Sequence, residues 1–84
     1  MAMKKTELIS GSFSKEDALE LISGIVALKI NYHEKMIDRT ANEEDIKMRE
    51  NRIRKLQDEL ADFRRTLSQK NEPVALSASL SIDN

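Results

Sequence analysis

The sequence predicts an all-α protein: a two-helix antiparallel hairpin, two copies of which close a four-helix bundle. Three observations carry this. Two segments of about 25 residues place apolar side chains at helical spacing. A short polar break separates them. The first segment has more apolar circumference than the second can cover. At 84 residues the chain is one small domain. Two glycines, one proline, two phenylalanines and no tryptophan argue against a loop-rich or aromatic-cored fold.

The first helix is expected over residues 15–39. Ser14 is a good N-cap, Asp17 completes a weak capping box, and Glu16 and Asp17 put negative charge in the first turn. Phe13 precedes the cap and is positioned to fold back over that turn. Gly24 costs about 1 kcal/mol against alanine, too little to break the segment. "DRTANEED" (38–45) reads as the break, with Thr40 or Asn42 capping the second helix over residues 43–68. A connection this short makes the helices antiparallel, and at 1.5 Å per residue each is roughly 38 Å long. The leader (1–13) and the Ser-rich tail (69–84) are read as extended or disordered. "VALSASLSI" (74–82) alternates with period two, as a strand does. Pairing of this segment with the leader is the alternative to disorder.

The two helices bury differently. On a wheel, the apolar residues of the first, from Ala18 and Leu19 to Met36 and Ile37, fill an arc of roughly 200°. A single neighbour covers only about 100°. Ile46, Ile53, Leu56, Leu60, Phe63 and Leu67 of the second, with Arg49 in series, form a coiled-coil-like seam and leave the rest polar. An apolar strip containing Ile22, Ile25, Leu28, Ile30 and Tyr32 therefore remains for a dimer interface. Small domains without staples seldom supply more than about 3–5 kcal/mol from one core, which favours a homodimer. A different protein offering a similar groove is the competing occupant.

"ALKINYHEK" (27–35) puts Lys29 and His33 in the middle of the apolar face. In an antiparallel hairpin His33 lies level with Arg49, and Lys29 with Ile53, near Glu50. The three nitrogenous side chains are read as a polar layer that sets register. The alternative is an anion site, since an unpaired cation cluster is costly to desolvate. Lys47, Arg49, Arg52, Arg54 and Lys55 give the second helix a basic face, but Glu50, Asp58 and Glu59 are interleaved and no aromatic is there to stack a base.

Two blocks, "GSFSKEDALELI" (11–22) and "LKINYHEKMI" (28–37), together resemble a group of small bacterial helical-hairpin proteins of uncharacterised function. The shared pattern is Gly11, Phe13 and Ser14 entering the first helix, then Lys29, Ile30, Asn31, Tyr32 and His33 near its end. It spans roughly residues 8–67. Tyr32 stands where Phe is expected, and the Ser-rich tail has no counterpart in the group. The resemblance implies the hairpin and carries no activity.

The totals bound the function. A formal charge of −1 with 35% charged residues argues against a dedicated nucleic-acid binder. No cysteine is present, so the cytoplasm is the expected compartment. No apolar run approaches the roughly 18–20 residues of a membrane span, and the leader has no apolar signal region. Catalysis is not expected, because His33 has neither an orienting acid nor a nucleophile beside it. One histidine and no cysteine give no metal site, and no cofactor is implied. The expected function is a self-associating structural or protein-interaction module. The alternative is an anion-responsive or nucleic-acid-associated regulator using Lys29, His33, Arg49 and the basic face.

Overall fold

The computed structural model describes residues 3–83. Its elements are β1 (Lys4–Phe13), α1 (Lys15–Asp38), α2 (Glu43–Ser68) and β2 (Val74–Ile82). The fold is therefore α+β, and the all-α expectation is corrected. The two helices are the middle of a β-α-α-β chain whose ends pair as a two-stranded antiparallel sheet.

Local chemistry accounts for the helix ends. The Ser14 hydroxyl accepts the Asp17 N–H at 3.1 Å and starts α1. The connection needs no glycine: Thr40 Oγ1 accepts the Asn42 N–H at 3.2 Å, and Asn42 Oδ1 caps α2 by accepting from Glu44 at 2.9 Å and Asp45 at 3.1 Å. Where the chain leaves α2, the Glu72 carboxylate accepts the Lys15 N–H at 3.2 Å. That bond ties the exit of α2 to the entry of α1, whose positive dipole end suits a carboxylate.

Antiparallel helices of near-equal length return the chain to where it began, so residues 13 and 74 are neighbours at no further loop-closure cost. The strands pair from that point outwards, with Phe13 opposite Val74, Gly11 opposite Leu76 and Ile9 opposite Ala78. A register shift at Leu8 then changes the parity of β1, so Thr6 faces Leu80 and Lys4 faces Ile82. Leader–tail pairing is thus the arrangement observed for the two segments, in place of disorder.

The core sits where all four elements meet. Ala18, Leu67 and Val74 are buried together, with Phe13, Leu19, Ile22 and Leu76 packed on them. Phe13 and Ala18 stand at the two positions that staple a helix entry, one before the cap and one in the first turn. Further along, Val26 of α1 and Leu56 of α2 are buried. Among the described residues no large side chain is completely buried.

This placement also overturns the four-helix-bundle and coiled-coil expectations. Ile22, assigned above to contact with another helix pair, packs on the cluster that holds Val74, so the sheet occupies part of the wide face of α1. The seam of α2 is not closed along its length either, since Phe63 is 45% exposed. A helical hairpin alone does not describe the chain. Ala18 in its first turn and Leu67 in its last are buried together with Val74 of β2.

Replacing Leu67 with alanine should cost about 2–5 kcal/mol, the usual range for a buried leucine. Urea unfolding followed by circular dichroism measures it, and a midpoint unchanged from wild type would remove Leu67 from the core.

Candidate functional site

Far from that core, toward the connection between the helices, the contact between α1 and α2 is polar. Arg49 occupies a seam position of α2 and is only 15% exposed. Its Nη1 lies 3.1 Å from His33 Nδ1. A guanidinium has only donors to offer, so Nδ1 is the acceptor, and the imidazole is neutral with its proton on Nε2. Arg49 Nε is 3.7 Å from the Asp45 carboxylate one turn back on α2. That distance exceeds a hydrogen bond, and Nε is buried without a partner. The guanidinium carbon lies 5.7 Å from the centroid of the Tyr32 ring, within cation–π range. Tyr32 meets His33 edge to face, with centroids 5.6 Å apart.

His33 is held below the ordinary imidazole value of 6.5 by desolvation against α2, then by the charges of Arg49, Arg52 and Lys29. Protonation would place an N–H where the Arg49 guanidinium already donates. The site thus keeps a neutral acceptor among cations.

Beside this layer lies a recess of ≈190 Å³ lined by Lys29, His33, Arg52, Lys55, Leu56 and Glu59. Four of the six lining side chains carry a nitrogen base, and Glu59 is the single acid. A second, more enclosed hollow of ≈250 Å³ opens between the helices and the sheet. It is walled mainly by apolar side chains, including Ile9, Ile22, Ile25, Phe63 and Leu76.

The structure brings His33 and Arg49 into contact; Lys29 lines the recess with His33 and Arg52, and Arg49 is not among its lining residues. Glu50 takes no part, and the acid nearest Arg49 is Asp45 on its own helix. Spacing alone could have found Asp45, which sits four residues before Arg49 on the same face. Arg52, Lys55 and Glu59 follow at intervals of three and four, so they too share one face of α2. The five residues assigned to an interface divide. Ile22 and Ile30 are half-buried, whereas Leu28 is 71% and Tyr32 56% exposed, and Ile25 stands at the mouth of the apolar hollow.

Among the described residues no group of three or more His, Asp or Glu is placed to hold a metal ion. No helix among them is long and apolar enough to cross a membrane. Comparison with protein-family models, curated proteins and solved structures gives no match for the chain. The resemblance carried by residues 11–22 and 28–37 stands on those residues alone.

Two measurements test the polar layer. In Arg49→Met the imidazole of His33 should titrate closer to 6.5, read by NMR; an unchanged or lower value would separate it from Arg49. Because the folded value is lowered, the unfolded chain binds the proton more readily. Stability from neutral His33 is complete above 6.5 and is lost as pH falls from there through the folded value. Urea midpoints at about pH 7.5 and about pH 5.5 should show this loss in wild type and less of it in His33→Gln.

Proposed function

We propose that the protein is a small structural or protein-interaction module whose working form is a pair of identical chains. The observation that carries this is its unclosed surface. A compact monomer of 9.6 kDa exposes about 5,100 Å². This chain exposes 6786 Å², about 1,700 Å² more. Its radius of gyration is 15.7 Å, against about 12 Å for a compact chain of this length. The surplus is twice the roughly 800 Å² that each partner contributes to a standard interface.

The uncovered side chains are of the type that needs a partner. Ile25, Leu28 and Tyr32 on α1, Phe63 on α2, and Leu80 and Ile82 on β2 are all more than a third exposed. Spaced at three and four, Ile25, Leu28 and Tyr32 make one stripe along α1. Burying a large aliphatic side chain is worth about 1.5–3 kcal/mol, so a second copy covering several of them adds much to a fold with so small a core. For a cysteine-free chain of this kind the cytoplasm is the proposed compartment. The role is one of binding, with no reaction attached to it.

Sedimentation equilibrium at micromolar concentration should give twice the 9.6 kDa chain mass. A folded monomer at that concentration would end this reading.

A second reading is favoured by the cationic recess. Lys29, His33, Arg52 and Lys55 surround a hollow of ≈190 Å³, a size that suits a phosphate group. On this reading the module responds to a phosphate-bearing anion. Inorganic phosphate titrated at low and high salt should shift the His33 resonances, more weakly at high salt. Resonances that do not move at either salt would remove it.

A further inference from the structure

Each strand of the sheet has one edge that no described segment pairs with. The two edges are unlike. β1 carries Lys4, Lys5 and Glu7, a bulge at Leu8, and Gly11 at φ +152°, a conformation side chains seldom adopt. Charges and bulges are the features that keep an edge strand from accepting another chain. β2, by contrast, runs for nine residues with no charge and no proline. Such an edge left in water is a template for further pairing.

We propose that the outer edge of β2 pairs antiparallel with β2 of a second copy, merging two sheets into one of four strands ordered β1-β2-β2′-β1′. The inference rests on the self-association reading and names its interface. Alternation sets the register. Val74, Leu76, Ala78, Leu80 and Ile82 share a face, and opposed residues of antiparallel strands also share a face. Even positions must therefore meet even positions. A twofold axis through Ala78 pairs all nine residues, with Val74 opposite the partner's Ile82 and Leu76 opposite the partner's Leu80.

That register solves a problem the single chain leaves. The inner half of β2 is covered by helices, whereas Leu80 and Ile82 are 54% and 58% exposed. Pairing lays each uncovered half beside the partner's covered half, next to the apolar hollow. The axis is perpendicular to the sheet, so both helix pairs lie on one face. The lysine-bearing β1 becomes the outermost strand on each side.

The chain has no cysteine, so Ala78→Cys introduces one thiol, and only at that position does a residue face its own copy. Directly opposed Cα atoms lie about 4.5–5.5 Å apart, within disulfide range. Mild oxidation should convert most of the full-length variant to a covalent dimer that reductant reverses, while Thr6→Cys on β1 stays largely monomeric. In wild type, hydrogen exchange at the β2 amides that point away from β1 should be slow when concentrated and fast on dilution. This second readout decides the matter if Ala78→Cys does not fold. Equal cross-linking at Thr6→Cys, or outward β2 amides that exchange as fast as those of β1, would overturn the pairing. A sedimenting dimer without the Ala78→Cys cross-link leaves self-association standing and removes this edge. A monomer removes both.

Discussion

Four chain segments have to pass close to Ala18. The end of β1, the first turn of α1, the last turn of α2 and the start of β2 converge there, and Ala18 is completely buried among Leu67, Val74 and Phe13. A larger side chain at that point would push one of the four aside, since overpacking a tight site costs about 1–3 kcal/mol. The rest of the architecture follows from this junction. Strands and helices start from it together and have only local contact afterwards. The molecule extends 46 × 37 × 13 Å, far broader than it is thick. Its core cluster sits at one end, and most of its exposed apolar residues, Leu28, Tyr32, Leu80 and Ile82 among them, lie away from that end.

The opposite end of the helix pair is held by different forces. Toward the helix connection the two helices are joined by the Arg49–His33 hydrogen bond and the Arg49–Tyr32 ring contact, while a loose ion pair to Asp45 steadies Arg49 from its own helix. Each is worth little on its own. A guanidinium between an imidazole lone pair and a tyrosine face nonetheless specifies one register, because sliding α2 by a turn would bury the cation without either partner. The seam therefore gains positional definition at Arg49 at some expense in stability. This is the trade expected of a polar residue inside an apolar seam. The neutral state of His33 is part of that definition, since only an unprotonated Nδ1 can accept from Arg49.

The helices were legible because their signals are local. Ser14, Asp17, Asn42 and the acidic residues of both first turns mark the ends, and apolar periodicity fills the space between. The level of His33 with Arg49 needs only one further assumption, that a short connection makes the helices antiparallel. The sheet was much less legible. β2 shows its period of two, but five of its nine residues are serine or alanine, and its partner lies more than sixty positions away. Patterning alone ranks such a pairing below disorder until the helices have brought the two ends together. Missing the sheet then misassigned the wide face of α1, because Ile22 was counted as surplus for another helix when it packs on Val74. Glu50 failed for a smaller reason. Level in the pair is not the same as face on the helix, and Asp45, one turn before Arg49, shares its face.

Each pair of elements contains one polar and one apolar member. α2 shows water a mostly charged surface, with Met48 and Phe63 exposed in it, and buries part of one stripe, whereas α1 has a wide apolar arc. β1 has charge and a bulge on its free edge, whereas β2 has neither. If the chain worked alone, selection against aggregation would act on every exposed element alike, and the guard residues of β1 should have counterparts on β2. They do not. The unguarded members also carry their uncovered apolar residues in regular order: Ile25, Leu28 and Tyr32 at helical intervals on α1, Leu80 and Ile82 at strand intervals on β2. Scattered single exposures need no explanation. Leu8 on β1 and Met48 and Phe63 on α2 are exposed as well, so it is the regular order of the exposure on α1 and β2, on the members without guard residues, that supports the proposed pairing of two copies.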